Sequence, residues 1–192
     1  GDIDIAAAGK SPEKIIDYFT NYPSKERIIE KGDISASIMV SGGKQVDLLV
    51  QPLESFGSLL QHFTGSKNHN IHLREFALKK GLSLSEYGIK NIKTRKTEKF
   101  SEEKNFYNAI GLQWIPPELR EDNGEIEASQ NYNLPDLVNL SDLKGDLHIH
   151  SNYPIEPSHD LGSNEMQIML KKAEELNNNY LGFSEHNPSI SK

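Results

Sequence analysis

The alternation of apolar and polar residues predicts an α+β arrangement in the first third of the chain. Residues 2–8 alternate as a half-buried strand does, and residues 34–40 and 45–51 flank a glycine-containing turn as the two arms of a β-hairpin. A helix is expected over residues 12–22, because a proline and a glutamate stand in its first turn.

Helical patterns dominate the middle of the chain, and strand patterns return near its end. Three helices are predicted, over residues 55–63, 67–80 and 101–110. A stretch containing Asn and Pro, residues 126–142, is expected to be a linker. The segments after it have the strand, helix, strand order of a βαβ unit: residues 145–151, 163–176 and 180–184.

Composition restricts the class of protein. The chain has 192 residues, 35% of them hydrophobic and 26% charged, which suits one or two folded domains. It contains no cysteine, which excludes disulfides and thiolate metal sites. No apolar run reaches the roughly 20 residues of a membrane span, and no signal-peptide pattern opens the chain. We therefore expect a cytoplasmic protein without a membrane partner. Because the chain begins without Met inside a predicted strand, we also expect an internal fragment.

The net charge of −7 is unevenly distributed along the chain. Residues 1–51 carry 6 basic and 8 acidic groups, residues 52–104 carry 10 and 6, and residues 105–192 carry 5 and 14. The basic middle segment is where a polyanion such as nucleic acid is expected to bind. A lysine-rich helix surface in contact with solvent would have the same composition.

Aspartates stand on the polar side of two predicted strands. Asp2 and Asp4 share the face opposite Ile3 and Ile5, and Asp47 lies opposite the apolar residues of the second hairpin arm. If the two strands are neighbours, the three carboxylates form a cluster of hard oxygen ligands, which suits Mg²⁺. A pair of such ions could activate a hydroxyl and stabilise a leaving phosphate oxygen. Solvated aspartates on an ordinary amphipathic strand are the alternative.

The segment HFTGSKNHNIHLREFALKKG is a more specific signal. Gly65 permits a sharp turn or the close approach of a ligand, and the helix after it exposes amide donors at its N-terminus. Asn70 and Arg74 are four residues apart, so their side chains share one helical face. Such a pair can donate to the minor-groove acceptors that all base pairs share.

Several motifs, in the correct order, resemble the palm and thumb of a family X DNA polymerase. They are GDIDI, the aspartate of QVDLLV, HFTGS with Asn70 and Arg74, LSLSEYGI, and FYNAIGLQWIPPELREDNGEIEAS. The resemblance implies a nucleotidyltransferase-type palm remainder over residues 1–51 and a small α/β thumb over residues 52–125. It also implies Mg²⁺-dependent, template-directed transfer of a dNTP to a primer 3′ hydroxyl in DNA repair, by a monomer that binds DNA.

The same resemblance implies roles for individual residues. The catalytic metal ligands are expected to be three aspartates, Asp2, Asp4 and Asp47. The sugar of the incoming nucleotide is expected to be bordered by Phe63, Thr64 and Gly65. Asn70 is expected to contact its base, and Arg74 the templating base. His62 stands where the family usually has Tyr, and Gln45 stands where a basic residue usually precedes the third aspartate.

Histidines in the last third are spaced as metal ligands are. His148 and His150 are two residues apart on a predicted strand, so both rings lie on one face. A parallel βαβ arrangement would bring His186, just after the next strand, to the same sheet edge. Imidazoles suit Zn²⁺ or Mn²⁺. Surface histidines without a ligand are the alternative for so short a motif.

The segments DLHIHSNYPIEPSHDLGSNEM and LGFSEHNP resemble the opening of a PHP (polymerase and histidinol phosphatase) domain, which bacterial family X polymerases carry after the thumb. The resemblance implies that residues 143–192 are the first βαβ unit of a PHP (βα)7 barrel with metal-dependent 3′–5′ exonuclease or related phosphoesterase activity. The implied metal ligands are His148, His150, His186 and either His159 or Asp160. Glu185 replaces the Asp that commonly precedes the last of these histidines.

The sequence therefore predicts part of a family X DNA polymerase, nucleoid-associated in the cytoplasm. One alternative is a PHP phosphoesterase whose polymerase-like region only binds DNA, although the presence of all three aspartates speaks against it. Another is a non-catalytic DNA-binding module, which only the positive charge of residues 52–104 favours.

Overall fold

The computed structural model of the chain describes residues 2–154 and 161–186, which fall into two compact units. The first unit comprises residues 1–134 and the second comprises residues 135–192. Within the described residues, no helix combines the length and the apolar character needed to cross a bilayer.

The first unit begins with a four-stranded sheet and one helix. Its elements are β1 (Ile3–Ala8), α1 (Pro12–Thr20), β2 (Lys25–Lys31), β3 (Ser35–Val40) and β4 (Lys44–Gln51). The strand order is β1-β4-β3-β2, in which β1 and β4 are parallel and the other pairs are antiparallel. On one sheet face, Leu48 and Val50 of β4 pack with Ile16 of α1 in a buried core. The opposite face carries the polar positions of β1 and β4.

Strand β2 was not expected from the sequence. Its residues, KERIIEK, do not alternate between apolar and polar, and all but the first are exposed. The strand forms at the sheet edge because its backbone pairs with β3 along Lys25–Lys31. Backbone hydrogen bonding to a neighbour leaves no periodic side-chain signal when neither face is buried.

The rest of the first unit is a helical layer with a small antiparallel sheet. Its elements are α2 (Phe56–Thr64), α3 (Lys67–Lys79), β5 (Leu82–Ser85), β6 (Gly88–Asn91), β7 (Thr97–Glu98), α4 (Glu103–Ala109) and α5 (Glu125–Gln130). The sheet has the order β5-β6-β7. A shared core joins α3, β5, β6, α4 and α5, with Leu73 of α3, Ile89 of β6 and Phe106 of α4 all buried.

Part of the predicted linker, residues 126–142, is folded. Its first residues belong to α5, where Ile126 is only 1% exposed and packs in the core with Phe106. The buried isoleucine ties this segment to the first unit, and the division between units falls between Leu134 and Pro135. The connecting segment therefore starts later than the sequence indicated.

The second unit contains β8 (Gly145–Ile149), α6 (Met166–Glu175) and β9 (Tyr180–Phe183). Strands β8 and β9 are parallel neighbours, so the three elements form a βαβ unit. His159 and Asp160, two of the predicted ligands, lie outside the described residues.

Helix α2 packs closely against the residues just before α4, and a substitution at Gly57 tests this contact. A Cβ atom on Gly57 would lie 2.2 Å from the carbonyl carbon of Glu102, and the Gly57 amide donates to the Phe100 carbonyl. Gly57→Ala is therefore expected to lower the free energy of unfolding by about 1–3 kcal/mol through overpacking. Urea denaturation, followed by circular dichroism and by the single tryptophan, measures this change.

Gly32→Ala is the matched control for this substitution. A Cβ atom there would meet its nearest neighbour, Ser35, at 3.5 Å, which is ordinary contact. The control is expected to change the free energy of unfolding by less than about 0.5 kcal/mol. Equal midpoints for the two variants would contradict the tight packing of α2.

Candidate active site

Two of the predicted aspartates lie side by side on the polar face of the sheet. Strands β1 and β4 pair in parallel, and Asp4 is the register partner of Asp47. Register partners project from the same face of a sheet, and neighbouring strands lie about 4.8 Å apart. Asp4 is exposed and Asp47 is half-buried. The fold therefore presents two carboxylates next to each other, opposite the apolar core.

Neutral donors hold the carboxylate of Asp47. Gln45, two residues earlier on β4, donates through Nε2 to both carboxylate oxygens at 3.0 Å. Ser37, the register partner of Asp47 on β3, donates its hydroxyl to Oδ1. Neither donor carries a charge, so these hydrogen bonds orient the carboxylate without placing a positive charge beside it.

Asp2 lies just before β1 and is exposed. In residues 2–154 and 161–186, none of the ion pairs involves Asp2, Asp4 or Asp47. In the same residues, no three His, Cys, Asp or Glu side chains are grouped closely enough to hold a metal ion. The three-aspartate ligand set thus stays a prediction, whereas the pairing of Asp4 with Asp47 is a property of the fold.

The turn between α2 and α3 is built on Gly65. Its φ of 70° and ψ of −148° belong to a region that side-chain-bearing residues rarely adopt. The peptide bond to Ser66 is cis, and the Ser66 hydroxyl caps α3 by accepting from the His69 amide at 3.3 Å. Of the predicted sugar neighbours, Phe63 is half-buried, Thr64 is exposed and Gly65 is buried.

Asn70 and Arg74 both contact the C-terminal end of α2. Asn70 donates through Nδ2 to the His62 carbonyl at 2.9 Å and accepts from Gln61 Nε2 at 2.7 Å. Arg74 Nη2 lies 2.9 Å from His62 Nδ1. Burial lowers the pKa of His62, and the neighbouring Arg74 lowers it further against the opposing effect of Glu86. The neutral ring can therefore accept the hydrogen bond from Arg74.

His69, in the first turn of α3, is fully buried between two polar groups. Its Nδ1 lies 2.6 Å from Oε1 of Glu125, and its Nε2 lies 3.0 Å from the Tyr107 hydroxyl. Burial lowers the pKa of His69 and raises the pKa of Tyr107. The ring is therefore neutral, donates through Nδ1 to the carboxylate and accepts at Nε2 from the tyrosine hydroxyl.

Glu125 completes this group as an ionised acceptor. Burial alone would raise the pKa of Glu125, but hydrogen bonds from His69 and from nearby backbone amides outweigh it and lower the pKa. The Asp122 and Asn123 amides donate to its two oxygens at 3.1 and 2.7 Å. The start of α3 is thereby fastened to the start of α5.

A second buried polar group surrounds Arg120. Its guanidinium forms a two-pronged ion pair with Glu103 at 2.8 and 3.1 Å, and its Nε donates to the Ile115 carbonyl at 2.9 Å. Trp114 also donates to Glu103, at 3.2 Å. The backbone carbonyl of Arg120 accepts from the Ser66 amide at 3.1 Å. The ion pair therefore holds the segment that contacts the Gly65–Ser66 turn.

In the second unit, three of the predicted metal ligands lie near one another, although within the described residues they do not form a group that could hold a metal ion. His148 Nε2 and His150 Nε2 lie 3.1 Å apart, and the rings of His150 and His186 stack with centroids 5.0 Å apart. Beside them, Glu185 accepts from the amide and the hydroxyl of the buried Ser151 at 2.8 and 2.6 Å. The hydrogen bonds from Ser151 lower the pKa of Glu185.

Comparisons with known proteins agree with this arrangement. Residues 59–121 match the family model described as DNA polymerase beta thumb. The chain is 36% identical over 154 residues to DNA polymerase/3′-5′ exonuclease PolX of Bacillus subtilis (strain 168), which covers 79% of this chain and 27% of that protein. It is 35% identical over 77 residues to the human DNA-directed DNA/RNA polymerase mu, covering 40% of this chain and 16% of that protein.

Together these similarities support a bacterial family X DNA polymerase as the relationship of this chain. It spans about a quarter of the length of the Bacillus subtilis relative, with 27% of that protein covered.

Solved structures of polymerase beta have the same fold. Leishmania infantum polymerase beta in a ternary P/T complex matches with a TM-score of 0.51 and 20% identity, over 63% of this chain and 62% of that one. Its ternary gap complex matches with a TM-score of 0.52 and 18% identity, over 62% and 57%. The α+β fold is thus similar to a polymerase beta palm and thumb, as the sequence motifs indicated.

The buried polar groups of this thumb were not found from the sequence. Glu103 precedes the buried Phe106, Tyr107 and Ile110 of the α4 region by three, four and seven residues, so it stands on their face. Glu125 likewise precedes the buried Ser129 by four residues. A charged residue on a buried helical face was the available signal, but its partner lies far away in sequence.

The burial of neutral His69 makes the stability of the thumb depend on pH. Its lowered pKa in the folded state means that the unfolded chain, with the ordinary value of 6.5, binds the proton more readily. The free energy of unfolding is therefore expected to fall as the pH drops below about 6.5. The lowered pKa of Glu125 extends this loss below its ordinary value of 4.5.

Urea unfolding between pH 7 and pH 5 measures the contribution of His69. The His69→Gln variant is expected to have a lower free energy of unfolding at pH 7. That free energy is also expected to depend less on pH, because the glutamine side chain does not titrate in this range. His72→Gln is the control, since its side chain is 34% exposed and it lies on the same helix. Equal pH dependence in all three proteins would show that His69 is not buried as a neutral ring.

Proposed function

We propose that this chain supplies the palm carboxylates and the thumb of a polymerase that transfers nucleotides to a primer 3′ hydroxyl. The observation that carries the proposal is the register pairing of Asp4 with Asp47 on the face opposite the core. Because the chain spans about a quarter of its bacterial relative, the activity of the whole protein is part of this proposal. We also propose that it acts in the cytoplasm on DNA and dNTPs.

The chemistry of the donor set, though not the present spacing of its three side chains, fits a divalent metal ion. Asp2, Asp4 and Asp47 would hold Mg²⁺, since they offer hard oxygen ligands and no described cationic side chain pairs with them. When bound, such ions stabilise charge on the attacking and leaving oxygens of a phosphoryl transfer. Gln45 and Ser37 keep the Asp47 carboxylate in one orientation. The basic residue that is usual at the position of Gln45 would do the same, but it would also add a positive charge.

The α2–α3 turn is proposed as the nucleotide side of the site. Phe63, Thr64 and Gly65 would border the sugar, and the absence of a Cβ at Gly65 would let the sugar approach the backbone. Asn70 would contact the incoming base and Arg74 the templating base. Both side chains would then exchange their present hydrogen bonds at the end of α2 for contacts with the base pair.

Asp47→Asn in the whole protein tests this proposal. Primer extension is expected to fall on the order of a thousandfold, because a metal-ligand site contributes several kcal/mol of transition-state stabilisation. DNA affinity, measured by fluorescence anisotropy, is expected to stay within about twofold. Asp33→Asn, an exposed aspartate in the turn before β3, is the control and should extend primers normally. Full extension by Asp47→Asn would overturn the metal role.

A second activity is proposed for the second unit. The proximity of His148, His150 and His186 supports a PHP-type site that would hold Mn²⁺ or Zn²⁺ and hydrolyse phosphodiesters in the 3′–5′ direction. His159 or Asp160 is proposed as a further ligand. The Bacillus subtilis relative, whose name includes 3′-5′ exonuclease, supports the same proposal.

His148→Ala in the whole protein separates the two activities. Metal-dependent 3′–5′ degradation is expected to be lost and primer extension retained, because the two sites use different residues. Asp47→Asn is the reciprocal variant and should retain degradation. Degradation that survives His148→Ala but not Asp47→Asn would reject the histidine site. A wild-type protein that degrades DNA yet never extends a primer would favour the alternative of a phosphoesterase with a DNA-binding scaffold.

A further inference from the structure

The connection between β6 and β7 is a tight turn anchored on one side chain. Asn91 Oδ1 accepts from the amides of Lys93 and Thr94, both at 3.0 Å. The Arg95 amide donates to the Asn91 carbonyl, and the Asn91 amide donates to the Lys96 carbonyl, both at 2.9 Å. These hydrogen bonds define one conformation for the turn.

The turn combines an internally hydrogen-bonded backbone with exposed basic side chains. The Lys96 amide donates to Thr94 Oγ1 at 3.4 Å, so the amides of residues 93–96 all bond within the turn. Arg95 takes a left-handed φ of 62°. The side chains of Lys93, Arg95 and Lys96 are exposed.

The three cations have no acidic partner in the part of the chain that the structure describes. Lys99, just after β7, forms an ion pair with Glu54 at 2.9 Å, but no described carboxylate pairs with Lys93, Arg95 or Lys96. Three like charges within four residues repel one another, and a nearby polyanion relieves that repulsion.

We propose that residues 91–96, the basic turn, bind the phosphate backbone of duplex DNA. This inference rests on the proposed function, which makes DNA the partner. A site for a single phosphate uses fixed backbone amides, but here those amides are already occupied. Long cationic side chains on an ordered turn suit a repeating row of phosphates without reading sequence.

Neutralising the turn tests this inference. The test compares the wild type with the triple variant Lys93→Gln, Arg95→Gln and Lys96→Gln. The affinity of each protein for a labelled DNA duplex is measured by fluorescence anisotropy over a range of KCl concentrations. The slope of log K against log salt is expected to become shallower by about 2 to 3, because each lost phosphate contact removes roughly 0.9. An unchanged slope would overturn the inference.

The matched control neutralises three exposed lysines of the second unit: Lys144, Lys171 and Lys172. It changes the net charge equally, so its slope should equal that of the wild type. A slope reduced as much in the control would mean that net charge, and not the turn, sets the affinity. That result would also overturn the inference.

Asn91→Ala tests the order of the turn without altering its charge. The variant loses both side-chain hydrogen bonds to the turn amides, so we expect DNA affinity to fall several-fold while circular dichroism is unchanged. Unchanged affinity would reject a requirement for the ordered conformation. A triple variant that loses affinity for an RNA hairpin but not for DNA would reject duplex DNA as the partner.

The outcomes for the turn and for the proposed function are distinguishable. A wild-type protein that binds no duplex at any salt concentration would contradict the proposed function itself. A wild-type protein that binds DNA, together with a triple variant of unchanged slope, would reject only the basic turn.

Discussion

The ion pair between Glu103 and Arg120 is the interaction on which the thumb depends. The Arg120 side chain is fully buried and the Glu103 side chain is 9% exposed, so each charge depends on its partner far more than on water. Removing one partner of such a pair costs about 3–5 kcal/mol, because the other charge stays buried and unpaired. The pair thereby fastens the segment after α4 to α4 itself. Since the Arg120 carbonyl accepts from the Ser66 amide, the same constraint reaches the turn that begins α3.

A second buried group acts on the other side of that turn. Neutral His69 joins the Tyr107 hydroxyl on α4 to the Glu125 carboxylate on α5, and every polar atom of its ring has a partner. Together the two groups connect α3, α4 and α5 through hydrogen bonds whose partners lie 17 to 56 residues apart. The helix that carries Asn70 and Arg74 therefore takes its position from residues outside the HFTGS motif.

The sheet positions its carboxylates by a different constraint, which is strand register. Asp4 and Asp47 face away from the core because their apolar neighbours must face α1. A slip of one residue would exchange the two faces and bury the aspartates. Ser37 and Gln45 then orient the Asp47 carboxylate with neutral hydrogen bonds, so its position does not rely on a neighbouring cation.

Local pattern in the sequence was enough to predict β1, α1, the β3–β4 hairpin and α3. It also predicted the strand faces on which Asp4 and Asp47 lie. Both predictions were possible because alternation and helical spacing depend only on residues that are close in sequence. The sequence motifs also led to the family. Only the tertiary structure decided that β2 joins the sheet edge, that α5 packs in the thumb core, and that Asp4 is the partner of Asp47. It alone also paired Glu103 with Arg120 and His69 with Glu125. These pairings join residues that are distant in sequence, and a buried charge reveals its partner only when the chain has folded around both.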